Sequence, residues 1–186
     1  CCLALEVQND YDVLVNAMMA GKETVRLSFM DRDTLVRLLT YVRRDHPEIS
    51  WVDERFTFQL NQQKDRCTVQ LSYTKTLPEI HEELTQIEDA AQGFLANISP
   101  ELSDFDKAVL VFDRLCQYVE YDLSGPRQSD LAGALLDGRA GCGGYAKAYQ
   151  YLLTRLGVEA LIVYGTANSV QHWQHFVQLL LSYRYA

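Results

Sequence analysis

The chain has 186 residues, 48% of them hydrophobic and 11% aromatic, and a formal net charge of −8. That length fits one domain, or a small domain joined to a second, and the apolar content supports a core rather than a disordered tail. An acidic chain without a basic stripe is a poor partner for nucleic acid, and no apolar run approaches the roughly 20 residues of a membrane span.

No signal peptide is visible, because the sequence opens at Cys1-Cys2 with no basic region ahead of it. Residues 10–20 read as a short helix stopped by Gly21. Thr24 to Met30 alternates, with Val25, Leu27 and Phe29 on one face, and reads as a strand. Asp31 or Asp33 caps a helix whose core stripe is Leu35, Leu38, Leu39 and Val42, ending before His46-Pro47. Phe56 and Phe58 alternate in one run, Val69, Leu71 and Tyr73 in the next, and the polar turn between them suggests a hairpin. Residues 1–77 thus form a small unit of helix and antiparallel sheet. It carries no recognisable chemistry. His46 and His81 read as surface or capping residues.

Pro78 begins a long helix with the stripe Ile80, Leu84, Ile87, Ala91, Phe94, Leu95 and Ile98, a connector over residues 78–100. Ser103 with Asp106 resembles a capping box for the next helix. That helix places Ala108, Val111, Phe112, Leu115, Cys116 and Val119 on one face, so Cys116 reads as core. Tyr121-Asp122 and Ser124-Gly125-Pro126 break it. A short helical piece over 130–136 leads to a glycine-rich turn. After a further helix, Gly157 is a natural C-terminal stop, and 160–164 and 172–181 read as strands. Helices followed by sheet make residues 101–186 an α+β pattern.

The chemistry concentrates in Gly141-Cys142-Gly143-Gly144-Tyr145. Tyr145, Ala148, Tyr149, Leu152 and Leu153 follow helical spacing, which puts Cys142 at a helix start. The amides and dipole at that end favour an anion, and a thiolate is one. The glycines leave space for a substrate backbone beside the sulfur. Two readings of Cys142 stand: a buried structural cysteine or a nucleophile. The five cysteines are odd in number and lack CxxC spacing, which indicates neither a disulfide framework nor a zinc site.

A thiolate nucleophile needs a base to carry the proton. Downstream of Cys142 stand His172 and His175, three positions apart, so an extended strand turns them to opposite sides. No Asp or Glu follows Glu159 to orient an imidazole; Asn168, Gln171, Gln174 and Gln178 are the polar alternatives.

The run Gly141-Cys142-Gly143-Gly144-Tyr145-Ala146, with Ala148, Leu152-Leu153 and Gly157-Val158, resembles the nucleophile segment of the bacterial transglutaminase-like superfamily, whose core is papain-like. Tyr121-Asp122 and Gly165-Thr166-Ala167 fit the same pattern, and the likeness covers roughly residues 101–181. It implies an α+β fold, a transglutaminase-like core of helices packed on an antiparallel sheet behind a small α/β extension. It also implies that Cys142 attacks an amide carbonyl while His172, at the family's spacing from Gly165, moves the proton. A shifted register would put His175 in that role. Gly141, Gly143, Gly144, Tyr145 and Tyr121 would flank the substrate or the oxyanion. The family's histidine motif is altered here at Trp173, Gln174 and His175. The position of its carboxylate falls just past Ala186, so the third triad member is not in this sequence.

Two functions follow from the resemblance. One is a cysteine hydrolase or acyltransferase acting on amide bonds of proteins or peptides, cell-wall peptides among them, through a thioester and with no metal or organic cofactor. The other is a degenerate binding or scaffold module that kept the fold and lost the chemistry. Likeness to bacterial members implies an extracellular or cell-envelope setting, with the cytoplasm left open. The oligomeric state is not legible.

Overall fold

The computed structural model describes residues 5–28, 30–61, 66–166 and 173–179. The chain divides into two compact units, Cys1–Glu82 and Glu83–Ala186.

The first unit runs α1 (Leu5–Met19), β1 (Thr24–Ser28), α2 (Arg32–Asp45), β2 (Val52–Leu60) and β3 (Arg66–Tyr73). The alternating apolar residues build an antiparallel sheet in the order β1-β3-β2. Val25 lies opposite Val69, and Phe58 opposite Val69 on the other side, so these side chains share one face of the sheet. The core is that face together with Leu14 and Met18 of α1 and Leu35, Leu38, Leu39 and Val42 of α2. Asp31 caps α2, its carboxylate accepting the Thr34 amide at 2.7 Å. Trp51 is fully buried, and its indole N–H donates to the Met18 carbonyl at 3.3 Å. The hairpin between β2 and β3 carries a register shift between Val52 and Phe56. α1 begins at Leu5, ahead of the expected residue 10; β1 is described over Thr24–Ser28, and Phe29, expected on its core face, lies outside the described residues.

The boundary between the units falls within α3 (Leu77–Leu95). Glu79 reaches back to its start, accepting from the amide and hydroxyl of Thr76, each at 2.7 Å. The second unit continues with α4 (Asp104–Tyr118), β4 (Glu120–Tyr121), α5 (Leu131–Leu135), β5 (Arg139–Ala140), α6 (Cys142–Arg155), β6 (Ala160–Thr166) and β7 (Trp173–Leu179). Its core gathers Ile87 and Ala91 of α3, Ala108, Val111 and Leu115 of α4, all of α5, and Ala148, Leu152 and Leu153 of α6. β6 and β7 form an antiparallel hairpin, and β7 packs against α6.

Two expectations are corrected here. Cys116 is exposed, not core, and so is Phe112. The stripe holds two adjacent rows, and the core takes Ala108, Val111, Leu115 and Val119 but not Phe112 or Cys116. The connecting helix ends at Leu95 rather than continuing through Ile98. Asn97 turns left-handed at φ 64°, and the Arg114 guanidinium donates to the carbonyls of Phe94 and Ala96, the second at 2.9 Å. That cap comes from another helix, and sequence spacing does not show it.

Candidate active site at the start of α6

Cys142 is the first residue of α6 and is half-buried. Gly141 precedes it as the helix cap in an extended conformation, φ −85° and ψ −173°, and as a glycine brings no capping side chain of its own. The first-turn amides of a helix lack intrahelical acceptors, which makes this end a favourable place for negative charge.

Three backbone supports fix the turn. β4 and β5 pair in parallel, Tyr121 opposite Ala140, with the Glu120 amide donating to Gly138 at 2.8 Å and the Asp122 amide to Ala140 at 3.0 Å. The Gly141 amide donates to the Gln128 carbonyl at 2.8 Å. The third support is close packing. A Cβ on Gly144 would lie 2.7 Å from Ala140 Cβ and 2.8 Å from the Gln128 oxygen. One on Gly143 would lie 3.4 Å from Ser129 Cβ, and one on Gly141 2.7 Å from the Leu123 side chain. The three glycines thus admit the protein's own segment 122–130, a packing role beyond the open approach the sequence suggests.

Tyr121 and Tyr145 are brought together beside the turn, their ring centroids 6.3 Å apart. Tyr121 is 59% exposed. The Tyr145 hydroxyl donates to the Val119 carbonyl, and burial, with Cys116 nearby, raises its phenol above the ordinary range. Tyr149, one turn further on, donates to Ala108 at 3.0 Å, so both phenols tie α6 to the α4 side of the unit. Asp122 accepts from the Ser124 hydroxyl at 2.6 Å and amide at 2.8 Å, and these bonds, with Arg139 at 3.3 Å, hold its carboxyl below the usual range.

His175 lies in β7, opposite Tyr164 of β6. His172, the residue before β7, lies outside the described residues. Among the described residues no group of three or more His, Cys, Asp or Glu is placed to hold a metal ion, and no helix is long and apolar enough to cross a membrane. The segment 127–130, which carries the glycine turn, has no sequence signature of its own. Its only signal is the Ser124-Gly125-Pro126 turn ahead of it.

Comparison with known proteins bears on this arrangement. The model of the transglutaminase-like superfamily matches residues 89–185, which contain the Cys142 turn, β6 and β7. No curated protein matches. A solved structure described as a crystal structure of a TGase matches 84% of this chain and 48% of its own, at 12% identity and a TM-score of 0.44. The chain thus spans about half the length of that protein. With its mixed α+β architecture, the chain belongs to the transglutaminase-like superfamily.

Proposed function

We propose that the protein is a cysteine acyltransferase or hydrolase acting on amide bonds of proteins or peptides. The observation that carries this reading is Cys142 as the opening residue of α6, behind a glycine cap with no side chain, in a chain of this superfamily. The Cys142 sulfur attacks the amide carbonyl carbon. The C–N bond breaks as the amine leaves with a proton, and a thioester forms. Water or a second amine then attacks the thioester and returns the thiol. The amides of the first helical turn stabilise the oxyanion. His172 is the proposed proton carrier, with His175 as the alternative; β7, which follows the one and contains the other, packs on α6. Cell-wall peptides are the substrate class to try first, in a bacterial, cell-envelope or extracellular setting.

The test is competition for iodoacetamide between cysteines of one folded protein, mapped by mass spectrometry. Cys142, though less exposed, is expected to react faster than the exposed Cys116. Cys142→Ala should abolish amine incorporation into peptide amides. A Cys142 slower than Cys116, with no turnover lost on its replacement, would overturn the reading and leave a non-catalytic binding module.

A further inference from the structure

Two ion pairs fasten the segment that carries the Cys142 turn: Lys147 of α6 lies 3.5 Å from the Asp130 carboxylate, and Arg127 ties the segment to the stretch that leads into Cys142. Arg127 presents its guanidinium as a fork to Asp137, Nε donating to one carboxylate oxygen at 2.8 Å and Nη2 to the other. Its Nη1 lies 3.5 Å from the carboxylate of Glu83, which is only 8% exposed. Directly after Arg127 come Gln128, Ser129 and Asp130, the residues against which Gly143 and Gly144 pack and whose first carbonyl holds the Gly141 amide. The Arg127 carbonyl accepts the Asp130 amide at 3.0 Å and lies where a Cβ on Gly133 would be. Asp137, at the other end of the fork, leads through Gly138 into β5 and so into Cys142. One guanidinium therefore joins the segment beneath the nucleophile to the segment that delivers it.

A planar bidentate fork fixes distance and angle together, which a lysine or an apolar contact does not. A partly buried ion pair adds little net stability, because removing the charges from water offsets their attraction, so its use lies in geometry. Resting on the function proposed above, we propose that Arg127 is a positioning residue for the Cys142 thiol. It holds residues 128–130 so that the first-turn amides of α6 keep their aim at the sulfur and the developing oxyanion.

The experiment measures the alkylation rate of Cys142 relative to Cys116 across pH, in wild type, Arg127→Gln, Arg127→Lys, Asp137→Asn and the Arg127→Gln/Asp137→Asn double variant, with melting followed by circular dichroism. Arg127→Gln and Asp137→Asn should each slow Cys142 near neutral pH by about tenfold and move its profile to higher pH, leaving Cys116 unchanged. The double variant should be no slower than the worse single one, since both break one unit. Arg127→Lys, which keeps the charge and loses the fork, should recover only part of the rate. A folded Arg127→Gln or Asp137→Asn protein with the wild-type ratio and profile would overturn the proposal, as would a parallel change at both cysteines. If Arg127→Gln does not fold, Asp137→Asn decides, because it leaves Glu83 paired. Wild-type Cys142 reacting no faster than Cys116, with no turnover lost in Cys142→Ala, would sink the proposed function and this inference together. A fast wild type with equally fast variants would sink this inference alone.

Discussion

The Gln128 carbonyl oxygen serves two residues of the Cys142 turn at once. It accepts the Gly141 amide at 2.8 Å, and it lies 2.8 Å from where Gly144 would carry a Cβ. A methyl group at 144 would crowd both this oxygen and, at 2.7 Å, Ala140 Cβ. Gly144→Ala is expected to lower unfolding stability by about 2 kcal/mol, as overpacking does, and to slow Cys142 labelling in the folded fraction. Urea titration and mass-mapped alkylation read the two effects separately. A neutral substitution would show that the turn yields freely.

The cap of α4 is reciprocal. The Ser103 hydroxyl accepts the Asp106 amide at 3.1 Å and donates to the Asp106 carboxylate at 2.6 Å. Ser103→Ala should cost about 1 kcal/mol, and Ser103→Asn should recover most of it. Denaturant midpoints at constant slope measure both.

His46 makes the first unit sensitive to pH. Its imidazole lies 3.0 Å from the Glu48 carboxylate, and this bond raises the ring above its ordinary value of 6.5. The protonated ring is the form the fold favours. The pair's contribution is therefore fully present below the unfolded value and is lost as pH rises through the higher folded one. With both side chains partly solvated, the effect is about 0.5 kcal/mol. Stability measured across that window should decline with rising pH in wild type and lose this component in Glu48→Gln. A wild-type curve that rises there would contradict the assignment.

Cys67 and Cys116 should separate cleanly with a thiol reagent. Cys116 is exposed on α4. Cys67 is buried, its thiol donating to the Ser28 carbonyl at 3.2 Å, and burial raises its ionisation above the usual range. Ellman's reagent is expected to modify Cys116 in the native protein and Cys67 only on unfolding. Cys116→Ser should leave stability within about 0.5 kcal/mol of wild type. Rapid native labelling of Cys67 would mean that the sheet opens locally.

The elements most legible in the sequence carry strong local signals. The alternation of Val25 and Leu27, the Asp31 cap and the spacing of Leu35, Leu38, Leu39 and Val42 each follow from neighbours a few residues apart. Cys142 at a helix start was legible for the same reason: glycines before and after it and helical spacing beyond. The illegible parts depend on distant groups. β4 and β5 are two residues each and pair in parallel across 17 residues of chain, with no periodicity to betray them. Arg114 ends α3 from α4. Cys116 shares a helical face with Leu115 on paper, but the width of the core decides which row is covered. Arg127 looks like any surface arginine until Asp137 and Glu83 are seen around it.

The small sheet of the first unit has β1 and β2 as its edges, and the register shift between Val52 and Phe56 breaks the straight run of one of them. A straight, regular edge is a template on which foreign strands assemble, and an irregular one is not. The same irregularity that interrupts the pairing of β2 with β3 makes that one edge a poor template for a further strand. Deleting two residues there would bring Val52 and Phe56 into one continuous register with β3 and make that edge regular.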